Sequence, residues 1–128
     1  FLMPKTKPEQ PMPAIDLTQT ATPLILDPIV ALVRLGKAAD RVCSATLERV
    51  QAVIEKPRTL YVPGGEISIN DLGAPVFSLD GKVIGMIALR SIKVESSGGF
   101  GGGDEGVIPV IVPAADIKEA AAQATAEE

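Results

Sequence analysis

The sequence predicts an all-β fold, a small barrel of five to seven short strands followed by one C-terminal helix. Three observations lead there. The apolar residues fall in short runs rich in Val, Ile and Leu. Eleven prolines and twelve glycines punctuate those runs. The last stretch, by contrast, is rich in strong helix formers. At 128 residues, 46% hydrophobic and 22% charged, the chain has the balance of one globular domain with a modest core. Aromatics are 3% and Trp is absent, so aliphatic residues must build that core.

Residues 1–13, FLMPKTKPEQPMP, read as an extended proline-rich arm, with Lys5 to Glu9 either a docking strand or a linker. The chain opens on Phe1 rather than Met, as a processed product or a fragment would. Ala14 to Leu17 suits a short strand. Ile29 to Val33 is nearly continuous in apolar residues, as in a strand buried on both faces, and it starts at or just after Pro28. Gly36 to Arg41 connects a hairpin. Val42 to Glu55 alternates in one parity through Cys43, Ala45 and Leu47, then in the other through Val50, Ala52 and Ile54. A β-bulge produces that slip, so a long bent strand is expected, with a helix over 46–56 as the alternative.

Arg58 to Val62 is the next strand, Pro63-Gly64-Gly65 a turn, and Glu66 to Asn70 short and extended. Ala74 to Leu79 and Lys82 to Arg90 flank Asp80-Gly81, a type I′ hairpin signal. Ser96 to Gly106 is a glycine-rich loop. Val107 to Val112 is the last strand, and Pro109 within it implies an edge without a partner. From Ala114 strong helix formers take over. Asp116 sits in the first turn, and Ile117, Ala120, Ala121 and Ala124 share one face of a helix that frays after Ala124. The chain thus divides into an arm (1–13), a barrel (14–113) and a helix (114–128).

Composition excludes several functions. Net charge is −4 and the pI about 4.8, which disfavours nucleic acid. No apolar run is long enough for a membrane-spanning helix. One cysteine forbids an internal disulfide, and with no histidine the chain has neither an ordinary zinc site nor a His-based catalytic pair. No cofactor is expected. Cys43 reads as a buried, inert thiol. The GGFGGGDEG stretch lacks the strand–helix context and closing Lys of a phosphate loop, so it reads as a flexible loop beside a groove. Its Asp104 and Glu105 could favour a basic peptide, but solvation is the default. The same default holds for Asp116 and Glu119 as cation ligands.

The residues Gly73-Ala74-Pro75-Val76-Phe77-Ser78-Leu79-Asp80-Gly81-Lys82-Val83-Ile84-Gly85-Met86 carry a resemblance. They are similar to the stretch after the nucleophile of trypsin-like serine proteases, especially the HtrA/Deg branch. There a Gly-Asn-Ser-Gly-Gly-Pro motif leads into a strand, an Asp-Gly hairpin and a Val-Ile-Gly-Ile strand. Asp27 to Gly36 resembles an earlier strand of that family, and Gly106 to Pro113 its last. Phe1-Leu2 resembles the end of the strand that bears the triad Asp. The resemblance implies a six-stranded Greek-key β-barrel, the second barrel of such an enzyme, followed by a helix.

It also places Leu72 on the nucleophile Ser, Asp71 on the Asp or Asn before it, and Asn70 on the oxyanion-hole Gly. Leu72 has no proton to give up and no lone pair to attack with. The backbone of Asn70 and Leu72 would form the oxyanion hole. Asp71, Gly73, Ala74, Ser91, Gly106 and Val107 would line a groove or pocket. Asp71 could pair with a buried amine, although a turn-forming role is the plainer reading. Neither Ser68 nor Ser78 lies on a turn suited to a nucleophile.

The function so implied is a proteolytically inactive homologue that binds a peptide or protein. It would associate with an upstream N-terminal barrel or with another copy of the chain, and a periplasmic or secreted location follows from the resemblance alone. Two alternatives stay open. The chain could belong to an active endopeptidase, with His and Asp upstream and the nucleophile elsewhere, or it could be an unrelated structural β-domain.

Overall fold

Six strands close into an antiparallel barrel with one C-terminal helix in the computed structural model. It describes residues 9–11, 13–65, 71–93 and 105–125. The strands are β1 (Pro28–Arg34), β2 (Cys43–Ile54), β3 (Leu60–Pro63), β4 (Pro75–Ser78), β5 (Val83–Lys93) and β6 (Glu105–Pro113), and the helix is α1 (Ala114–Thr125). Around the barrel the order is β1-β2-β3-β6-β5-β4, closed by β4 against β1. The core is aliphatic, as the composition requires. Ile29, Val50, Val76, Ile87 and Ile111 meet inside it, joined by the single tyrosine, Tyr61.

The alternation along Val42 to Glu55 resolves in favour of a strand. β2 runs unbroken against β1, and its register against β3 slips between Val50 and Ala52, so the alternative helix is overturned. The orientation of β2 is the surprise. Ile29, Ala31 and Val33 pair with Glu48, Thr46 and Ser44, so the polar side chains of β2 share the core-facing side. Cys43, Ala45 and Leu47 point outward and are exposed. The expected buried thiol is therefore an exposed one. For the same reason β1 is not buried on both faces, since Leu32 on its outer face is 41% exposed.

Other boundaries shift for local reasons. Ala14 to Leu17 is not a strand. The Asp16 carboxylate accepts the Thr18 N–H at 2.8 Å and the Thr18 hydroxyl at 2.6 Å, a side-chain turn that competes with any ladder. Both bonds hold the Asp16 carboxyl below its usual pKa range. A little further on, residues 19–21 strap the barrel, with Ala21 N–H on Val83 C=O and Val83 N–H on Gln19 C=O, both at 2.9 Å. β3 starts at Leu60 rather than Arg58 and takes in Pro63.

The β4–β5 hairpin is not type I′. Gly81 has φ +82°, but Asp80 does not have a positive φ. Gly81 N–H donates to Ser78 C=O at 3.0 Å, and Ser78 N–H to Lys82 C=O at 2.9 Å. This is a three-residue loop with a left-handed glycine at its end. Residues 94–104, with most of the glycine-rich loop, lie outside the described residues, as do Glu66 to Asn70, residues 1–8, Met12 and 126–128. β6 reaches back to Glu105. In α1, Ala114 is buried and Ile117 and Ala120 half-buried, whereas Ala121 is exposed.

Candidate functional site

The segment before β4 is pinned from both sides. Ala74 N–H donates to Asp71 C=O at 2.9 Å, closing a four-residue turn whose third residue, Gly73, has φ +82°. Glycine suits that position because a side chain there meets its own backbone. The turn is stapled to β5 by Gly73 N–H on Ile87 C=O at 2.9 Å and by Ile87 N–H on Ala74 C=O at 3.0 Å. Ala74 is buried, Asp71 half-buried, and Leu72 sits at the outer corner, 37% exposed. Asn70 lies outside the described residues.

Beyond that staple β5 loses its neighbour. β4 pairs with β5 as far as Met86, and among the described residues no strand pairs with that edge further on. The backbone groups of Ile87 face the turn, so by strand alternation those of Leu89 and Ser91 face the same, open side. Those of Ala88 and Arg90 face β6 instead, opposite Val110 and Ile108. Among the described residues β6 is open on its far side too, because Tyr61↔Ile111 is its one register pair with β3 there. Pro109 faces that open side, so its missing N–H interrupts no ladder.

Ser91, Gly106 and Val107 lie on this outlying β5–β6 ribbon, where Ser91 pairs with Val107 and Ile92 with Gly106. Ser91 is four residues along β5 from Ile87, roughly 13 Å at strand rise. The structure thus brings Asp71, Leu72, Gly73 and Ala74 together at one turn and sets the other three apart on a ribbon that leads from it.

Inside the turn is the mouth of the barrel. Thr46, Glu48 and Asp71 line it above Ile29, Val76, Ile87 and Ile111. Its cavity is about 20 Å³, room for one water but not for a side chain of a ligand. Sequence reasoning missed Thr46 and Glu48. The available signal was their shared parity with Val50, which puts polar groups on a core-facing row.

Ser78 is committed to the hairpin. Its hydroxyl donates to Asp80 Oδ1 at 2.5 Å and accepts Lys82 N–H at 3.2 Å. Among the described residues no group of three His, Cys, Asp or Glu could hold a metal ion, and no helix is long and apolar enough to cross a membrane. No family model matches the chain, and neither the curated proteins nor the solved structures compared with it yield a match.

Proposed function

We propose that this chain is the second barrel of a trypsin-like protease homologue that binds an extended peptide without hydrolysing it. The observation that carries the reading is Leu72 at the corner of the Asp71–Ala74 turn, beside an open edge of β5. An acyl transfer at such a corner needs a hydroxyl there and an imidazole to take its proton. The chain supplies an aliphatic side chain and no histidine. What remains is a hydrogen-bonded turn next to backbone donors and acceptors that no strand among the described residues pairs, the setting in which a peptide adds as a further strand. The strand order supports a Greek-key reading, since β4, β5 and β6 are successive neighbours and β3 returns beside β6.

An upstream barrel as partner rests on the outer face of β4, β1 and β2. Phe77, Val30 and Leu47 form one row across it, with Leu32 and Ala45 in the next. Leu47 is 66% exposed, and Leu24 and Leu26, in the turn before β1, are 70% and 65% exposed. A contiguous apolar face of this kind marks a surface that packs on another body.

A fluorophosphonate probe, which phosphonylates activated serines, tests the inactive reading. The chain stays unlabelled while unfolded β-casein, added as a generic extended ligand, binds and remains intact. Labelling of any serine, or cleavage of the casein, overturns it.

A further inference from the structure

On the side of the barrel away from the β4–β1–β2 face, the turn before β3 curls over the outer side of β3, β6 and β5. Leu60, Val110 and Ala88 point away from the core residues Tyr61, Ile111 and Ile87 that alternate with them. Leu60 and Val110 are nevertheless buried, at 3% and 2% exposure, so they form the floor of a depression rather than open surface. Its cavity is about 220 Å³, many times that at the mouth of the barrel. Arg58 from the turn and Arg90 from β5 both line it.

Neither guanidinium has an ion-pair partner among the described residues, where the ion pair formed is Lys82 with Asp80. Two cations over an aliphatic floor make a cleft with one polar requirement and one apolar one. Arginine meets a carboxylate through paired parallel hydrogen bonds, and two arginines at one cleft select an anion over a neutral group. The aliphatic floor of Leu60, Ala88 and Val110 suits a short aliphatic group on the rest of the ligand.

We infer that the Arg58–Arg90 cleft binds a monocarboxylate attached to a short aliphatic chain. That chemistry comes from two sources, the C-terminus of a peptide ending in an aliphatic residue or a short-chain fatty acid. The site is independent of the open edge of β5, although Leu89 borders both.

Methyl spectra of Leu60, Ala88 and Val110 in the full chain read the binding of four probes. They are N-acetyl-leucine, its neutral amide, hexanoate and hexanol. The two anions shift these methyls saturably, and their neutral counterparts bind about tenfold more weakly or worse. Arg58→Gln and Arg90→Gln each weaken the anions by about the same factor, while the core methyls of Ile87 and Ile111 stay in place and show the fold intact. Arg58 is exposed on a turn, so its variant remains informative if Arg90→Gln fails to fold. Tighter binding of N-acetyl-leucine assigns a peptide terminus, and tighter binding of hexanoate a fatty acid. Equal binding of neutral and charged probes, no saturable shift with either anion, or unchanged affinity in folded variants overturns the inference.

Discussion

Gly73 and Gly85 are both glycines by necessity, for different reasons. A Cβ on Gly73 would meet nothing nearby, but its φ of +82° strains any other residue. A Cβ on Gly85 would press on the backbone carbonyl of Val112 in the adjoining strand, which cannot swing aside as a side chain can. Gly73→Ala is therefore expected to cost about 1 kcal/mol, and Gly85→Ala about 3 kcal/mol. Urea denaturation followed by circular dichroism checks the order. Gly73→Ala costing as much as Gly85→Ala would mean that the turn, and not the sheet, carries the packing. At this scale the site was partly legible. The Gly-Ala-Pro and Asp-Gly signals sit on real turns, because they depend on local backbone angles. The outward aim of Cys43 was not legible, because it depends on which face of β2 the closed barrel selects.

The elements followed their periodicity wherever the chain decides locally. The slip in β2 falls between Val50 and Ala52, later than the parity switch read between Leu47 and Val50, because Cys43, Ala45 and Leu47 face outward and Val50 shares the core-facing side with Thr46 and Glu48. Ala14 to Leu17 is no strand and the hairpin no type I′ turn because the side-chain oxygens of Asp16 and Ser78 accept backbone N–H groups there and reshape the chain. In the hairpin, hydrogen bonds from Ser78 and Lys82 hold the Asp80 carboxyl below its usual pKa range. A depressed folded pKa gives stability that is full above the unfolded value, near 3.9, and fades as pH falls through the folded one. The carboxyl carbon shift of Asp80 should titrate below that unfolded value, and Ser78→Ala should move it back up. A midpoint at the ordinary value would show the bond from Ser78 to be absent in solution.

Over the whole molecule, Tyr61 ties three parts together. It lies in the core on β3, where Thr22 near the strap and Asp116 of α1 both act on its phenol. Burial raises its phenol pKa first, Thr22 lowers it in part and the Asp116 charge raises it further. A raised folded pKa gives stability that is complete below the unfolded value, near 10, and lost as pH rises through the folded one. Tyr61 is the sole tyrosine and there is no Trp, so tyrosinate absorbance reads this group alone. Its midpoint should lie above 10 and coincide with alkaline unfolding, whereas an unshifted titration would deny the burial.

The barrel and its closing helix were legible from strand count and turn chemistry. The Arg58–Arg90 cleft was not, because its two arginines come from distant segments that only the β3–β6–β5 pairing brings together.

Amide hydrogen exchange along β5 tests the central claim most directly. In the free chain Ala88 and Arg90 should exchange slowly and Leu89 and Ser91 quickly, and added β-casein should slow the fast pair alone. Uniformly slow exchange without casein, or no protection of Leu89 and Ser91 in its presence, would contradict a peptide-receiving edge.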